Sequence, residues 1–187
     1  MGATKERHDV AIDTFLSFEG IYANVDDALE DYEAVKLMHT ELGLIDAYDA
    51  AVIEHKENGK VKIVKKHETP TRVGGVLGGG VGLATGLVIA LFPGAAIGAG
   101  LLLGTTAGGA LIGVMAGHAS AGMSRGDLKE LGEALDAGQA GLVVVAVADT
   151  QAKIEAAMKR AEKVHAKELK ADHAAIEEEV KQASDAP

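Results

Sequence analysis

The chain has 187 residues, 48% of them hydrophobic and 25% charged. This composition excludes a disordered protein and fits one core of ordinary size, or a small domain with appendages. A net charge of −10 opposes a nucleic-acid partner, because the phosphate backbone repels it. The absence of cysteine excludes disulfides, thiolate metal sites and a cysteine nucleophile.

Glycine occurs 24 times and aromatics make up 3%, so Val, Ile, Leu and Ala, or close backbone approach over glycine, must fill the core. Charge divides the chain in three. Residues 1–72 hold 9 Lys/Arg against 15 Asp/Glu, residues 73–124 hold neither, and residues 125–187 hold 9 against 13.

The first ten residues are polar, without the apolar run of a secretory signal. Glu6 occupies the position where a myristoylation signal needs Ser or Thr. The start of the chain is therefore expected to be cytoplasmic. Asp13-Thr-Phe-Leu-Ser-Phe-Glu-Gly-Ile-Tyr22 is a β-prone run. Asn24 caps a predicted helix, with Asp27 near its positive end. That helix carries Ala28, Leu29, Tyr32, Val35, Leu37 and Met38 at helical spacing and is expected to end near Gly43.

Two strands are predicted over residues 47–55 and 60–67, joined by Glu57-Asn58-Gly59. A three-residue loop with Gly59 left-handed sets Ile53 opposite Ile63 and Glu54 opposite Lys62, separating apolar from charged pairs. A two-residue turn would mix them.

Residues 73–92 and 95–117 form two apolar stretches around Phe92-Pro93-Gly94. Each has roughly the 20 residues needed to cross a hydrocarbon core. Glycines recur at four-residue spacing: Gly74, Gly78, Gly82 and Gly86; Gly100, Gly104 and Gly108; Gly109, Gly113 and Gly117. On a helix each set leaves a groove without side chains, where another helix packs closely. Interior glycine costs about 1 kcal/mol against alanine, so such helices require a dry, closely packed setting.

Two settings remain open, a bilayer and the buried core of a homo-oligomer. The basic flanks Lys56, Lys60, Lys62, Lys65, Lys66, Arg72, Arg125 and Lys129 favour a bilayer with both polar parts on the cytoplasmic side. The missing aromatic belt, the wholly apolar reversal at residues 91–96, and His118 favour the buried core.

Beyond the glycines, Ser124 with Asp127 forms a capping box for a helix striped by Leu128, Leu131 and Leu135, with Gly138 available to end it. Gly141-Leu-Val-Val-Val-Ala-Val147 reads as a buried strand. A long charged helix is expected over about residues 150–183, with Ile154, Met158, Ala161, His165, Leu169, His173, Ile176 and Val180 as a thin stripe.

The expected fold is α+β: a ferredoxin-like βαββαβ domain with an inserted glycine-zipper helical hairpin and a long C-terminal helix. Residues 1–72 and 124–149 supply its halves, 73–123 the hairpin and 150–187 the helix and tail.

The runs His67-Glu-Thr-Pro-Thr-Arg72, Met123-Ser-Arg-Gly-Asp-Leu-Lys-Glu-Leu-Gly-Glu-Ala-Leu135 and Ala140-Gly-Leu-Val-Val-Val145 resemble the bacterial family catalogued as domain of unknown function 1269. The resemblance covers roughly residues 13–160. It implies a membrane label, resting on the apolar stretch, and no catalytic residues.

Other site chemistry is thin. The glycine stretch has no Lys, which excludes a P-loop. Gly80-Val-Gly82 and Gly98-Ala-Gly100 follow no βαβ context for a dinucleotide. His8, His39, His55, His67, His118, His165 and His173 form no HxxxH or HExxH pair. His55 and His67 can meet on the hairpin only as a weak site. Asp26, Asp27, Glu30 and Asp31 crowd a helix start, which reads as a dipole-favoured end, with weak divalent-cation binding as the lesser reading.

The expectation is a non-enzymatic protein, self-assembling or membrane-associated through the ten glycines, without catalytic, cofactor or metal residues. The alternative is a soluble homo-oligomeric module that senses a ligand or metal, with the hairpin buried.

Overall fold

The computed structural model describes residues 12–40, 48–67, 82–92, 95–97, 116–117, 121–147 and 150–172. The strand Ala140–Val147 (β5) lies at the centre of the sheet. Its β-branched run has no polar face because both sides of the sheet are roofed, Val143 and Val145 entering one cluster and Leu142 and Val144 the other. β5 pairs antiparallel with Ile12–Tyr22 (β1) and with Tyr48–His55 (β2). Beyond β2 lies Val61–His67 (β3), and beyond β1 lies Lys163–Asp172 (β6), both antiparallel. The two-residue Ala96–Ile97 (β4) adds in parallel at the β3 edge.

Four helices among the described residues cover this sheet. Val25–Thr40 (α1) and Gln151–Ala157 (α4) bury Ala28, Tyr32, Val35 and Ile154 with Phe18, Tyr22 and Tyr48 on one face. Leu83–Leu91 (α2) and Arg125–Ala134 (α3) bury Leu83, Leu87, Val88 and Leu131 with Ile53, Ile63 and Leu169 on the other. All three tyrosines serve the α1 face, and the α2 face is filled almost wholly by aliphatic side chains. Each fully buried aliphatic contributes about 1.5–3 kcal/mol.

Local chemistry fixes the element ends. The Asp27 amide donates to Asn24 Oδ1 at 2.9 Å, and the Asp127 amide to Ser124 Oγ at 3.0 Å, so both expected caps form. Gly59 takes φ +77°, and Ile53 stands opposite Ile63 and Glu54 opposite Lys62, the register set by a three-residue loop. α3 stops at Ala134, with Leu135 as its C-cap. Gly138, φ +92°, instead sits in the following turn and donates its amide to the His55 carbonyl at 2.6 Å. The expected end of α1 near Gly43 lies outside the described residues.

The expected ferredoxin-like assignment with a long C-terminal helix is overturned. Residues 60–67, its third strand, form an outer strand beyond β2, and residues 141–147 lie between β1 and β2. The long helix is replaced by the seven-residue α4 and the ten-residue β6. β6 completes an interleaved pair of β–α–β units: β1–α1–β2 encloses β5, and β5–α4–β6 encloses β1. Residues 163–170 are rich in helix-favouring Lys, Glu and Ala. Pairing with β1 along its whole length outweighs that preference.

Most of the expected helical hairpin, residues 73–123, lies outside the described residues. Within residues 73–92 the described helix is only α2, nine residues long. After it the Ala95 amide turns back to the Phe92 carbonyl at 2.9 Å, and the chain enters β4, a strand. Leu91, Phe92 and Ala95 pack against the α2-side core, which explains why the reversal carries no polar residue. Among the described residues no helix is long and apolar enough to cross a membrane.

Candidate functional site

The densest unexplained chemistry lies where α3 crosses β1 and β6. Side chains alternate along a strand. Ile21 and Phe15 of β1 pack in the α2/α3-side core, so Ser17 and Glu19 face that side as well. On β6, Leu169 enters the same core whereas Val164 and Ala166 enter the opposite one. His165 and Lys167 therefore face α3. The register sets Glu19 opposite His165 and Ser17 opposite Lys167, with Val143 on the other flank of Glu19.

Glu19 is 1% exposed, and neither carboxyl oxygen has a hydrogen-bond partner. Burial pushes its pKa up to about 8, since a charged carboxylate loses its hydration there. At neutral pH the group is a carboxylic acid. His165 Nε2 is also buried without a partner, while its Nδ1 lies 3.4 Å from Glu130 Oε1 on α3.

Lys167 Nζ reaches Glu130 Oε2 at 2.8 Å and Asp127 Oδ1 at 3.2 Å. The Ser124 hydroxyl donates to Asp127 Oδ2 at 2.6 Å. The hydrogen bond from Lys167 holds the Glu130 carboxyl below its usual range, and bonds from Ser124 and then Lys167 do the same for Asp127. The same contacts raise Lys167. The Ser17 hydroxyl donates to the Lys167 carbonyl at 3.3 Å, so it is not activated by His165. The arrangement buries an unpartnered carboxylic acid beside an ion-paired cluster of Lys167, Glu130 and Asp127.

The residues singled out from sequence are dispersed. Of the ten packing glycines, Gly82 precedes α2 as its N-cap and Gly86 is buried within it. A Cβ on Gly117 would meet nothing within 4 Å. Gly74, Gly78, Gly100, Gly104, Gly108, Gly109 and Gly113 lie outside the described residues, as do His8, His118 and His173.

His55 and His67 do not meet: His55 pairs with Val61 and His67 with Ala50, at opposite ends of the hairpin. His67 stacks on Tyr48 at 4.6 Å, and His39 meets the same ring edge-on at 5.4 Å. His55 Nδ1 lies 2.9 Å from the Leu135 carbonyl, beside an open cleft of about 600 Å³ lined by Asn24, Glu54, Lys56, Asn58 and Gln139.

Arg160 offsets part of the acidic start of α1, its guanidinium contacting Asp27, Glu30 and Asp31. Among the described residues no group of three or more His, Asp or Glu side chains is placed to hold a metal.

No family model, curated protein or solved structure matches the chain.

Sequence reasoning placed His165 on a helix seam and passed over Glu19. The available signal was a carboxylate inside a β-prone run, which reads as solvent-facing unless the second helical layer is known.

Proposed function

We propose that this chain is a non-enzymatic protein that assembles with copies of itself through the glycine-spaced part of its charge-free stretch. The observation that supports this is the docking of α2. Leu83 to Val88 are buried on the sheet, and the Leu83 amide is held by Asp49 Oδ2 at 2.6 Å. The charge-free stretch thus begins its use as protein-packing material inside the fold. Gly86 sits within the buried part of that helix.

The remaining spaced glycines continue the same material. A glycine in a helix interior costs about 1 kcal/mol against alanine, which close packing against another backbone offsets. A second copy supplies a matching surface by symmetry.

The test is light scattering on the purified full chain and on Gly78→Leu and Gly104→Leu variants, both placed outside α2. The expected result is an oligomer for the wild type and a smaller species for each variant, with circular dichroism preserved. A monomeric wild type, or variants of unchanged mass, sinks the reading. Protein retained in carbonate-washed membranes would replace it with a bilayer role.

A further inference from the structure

We propose that Glu19, buried beside His165, is a proton-responsive group, and that loss of its proton loosens α3 and β6 from β1. The geometry carries this. The two residues are direct cross-strand neighbours on one face, where opposed side chains sit about 4.5–5.5 Å apart at Cβ. Both present buried polar atoms without partners: the two Glu19 carboxyl oxygens and His165 Nε2. Two such orphans side by side in an interior are uncommon and costly. No hydrogen bond links the two, so the Glu19 proton is held by burial alone.

The surroundings decide what happens when that proton leaves. From α3, Glu130 and Asp127 face the pair, and from β6, Lys163 and Lys167 flank His165. Lys129 and Glu133 of α3 pair with each other at the surface. β5 offers Val143 and Val145, and α2 carries no ionisable side chain.

Burial is the influence that raises Glu19. A deprotonated Glu19 would be an unpaired charge in an apolar layer, with His165 already turned toward Glu130. The charge is relieved by admitting water, which requires α3 or β6 to move outward. α3 also abuts α2: a Cβ on Gly132 would sit 3.4 Å from the Leu91 carbonyl. Loosening α3 therefore frees one side of the charge-free helix. This inference does not rest on self-assembly.

The experiment uses the full chain. Carboxyl groups are titrated by carbon-detected NMR, and amide hydrogen exchange is compared at about pH 6 and about pH 9 after correction for intrinsic rates. Expected are one carboxyl titrating near 8, and protection in α3 and β6 falling at least about tenfold more than in β2 and β3 at the higher pH. Glu19→Gln should abolish both signals. His165→Leu, which leaves the carboxyl in a still more apolar setting, should keep the carboxyl midpoint well above the ordinary range. The proposal is overturned if every carboxyl titrates in its ordinary range, if Glu19→Gln loses protection as the wild type does, or if His165→Leu returns the midpoint to the ordinary range. Should Glu19→Gln fail to fold, the wild-type titration and the His165 variant still decide.

Discussion

Asp49 Oδ2 accepts the Leu83 amide at 2.6 Å, so a strand residue caps a helix that begins 34 positions later. Gly82, the N-cap itself, supplies no side chain. The carboxylate also sits at the positive end of the α2 dipole. Asp49→Ala is expected to cost about 1–2 kcal/mol and Asp49→Asn less, since an amide oxygen still accepts the bond. Urea unfolding of the full chain measures both. Equal midpoints for wild type and Asp49→Ala would show that α2 is held by apolar packing alone.

The junction between α1 and the turn after α4 rests on Asp31. Its carboxyl is fully buried and takes the Arg160 amide at 2.8 Å and the Arg160 guanidinium at 3.3 Å. Arg160 is 45% exposed, and its other carboxylate partners are at least as open as Asp27, 40% exposed. Solvent screening limits those contacts. Removing the guanidinium by Arg160→Ala leaves the backbone bond intact and is expected to cost about 1 kcal/mol. Asp31→Ala strands a part-buried amide together with the guanidinium and is expected to cost about 2–3 kcal/mol. Chemical denaturation should give that order; the reverse order would place the stability in the surface ion pairs.

The legible parts of this fold were those set by short-range chemistry. The Glu57-Asn58-Gly59 loop fixed the β2–β3 register through Gly59. Asn24 and Ser124 marked their helices, and the β-branched run of β5 announced a strand buried on both faces. β6 was illegible because Val164 and Ala166 face one layer while His165, Lys167 and Leu169 face the other. With both layers occupied, strand alternation dissolves into a pattern that also fits a helix. Glu19 was hidden for the same reason: nothing near it in sequence reveals that α3 roofs β1. The four-residue glycine spacing also did not announce that α2 starts at Leu83, because Asp49 sets that boundary from another strand.

Glycine at position 122 is required by the approach of β6. A Cβ there would collide with the Lys170 carbonyl and Leu169 Cδ1. Backbone cannot step aside cheaply, so Gly122→Ala is expected to cost about 1–3 kcal/mol. Gly117→Ala, with nothing within 4 Å of the new methyl, is expected to stay within about 0.5 kcal/mol of wild type. Thermal unfolding of the two variants side by side is the check. A Gly117 variant that is the more damaged of the two would show that the glycine-spaced stretch packs tightly at 117.

The stability of the domain should peak at mildly acidic pH, and the two limbs have different owners. Glu19 has a folded pKa of about 8 against an ordinary value of 4.5. The folded chain therefore holds a proton that the unfolded chain releases. Stability is fully present below 4.5 and declines as pH rises toward 8, the integrated effect being on the order of 5 kcal/mol.

Asp127 and Glu130 behave oppositely. Asp127 is held below its ordinary value of 3.8 by Ser124 and Lys167, and Glu130 below 4.5 by Lys167. Their contribution is present above those values and is lost as pH falls through the folded ones. The thermal midpoint should thus be highest at about pH 5–6. Glu19→Gln should flatten only the alkaline limb, and Lys167→Met only the acid one. A wild-type profile that rises steadily from about pH 6 to about pH 9 would contradict the assignment of the alkaline limb to Glu19.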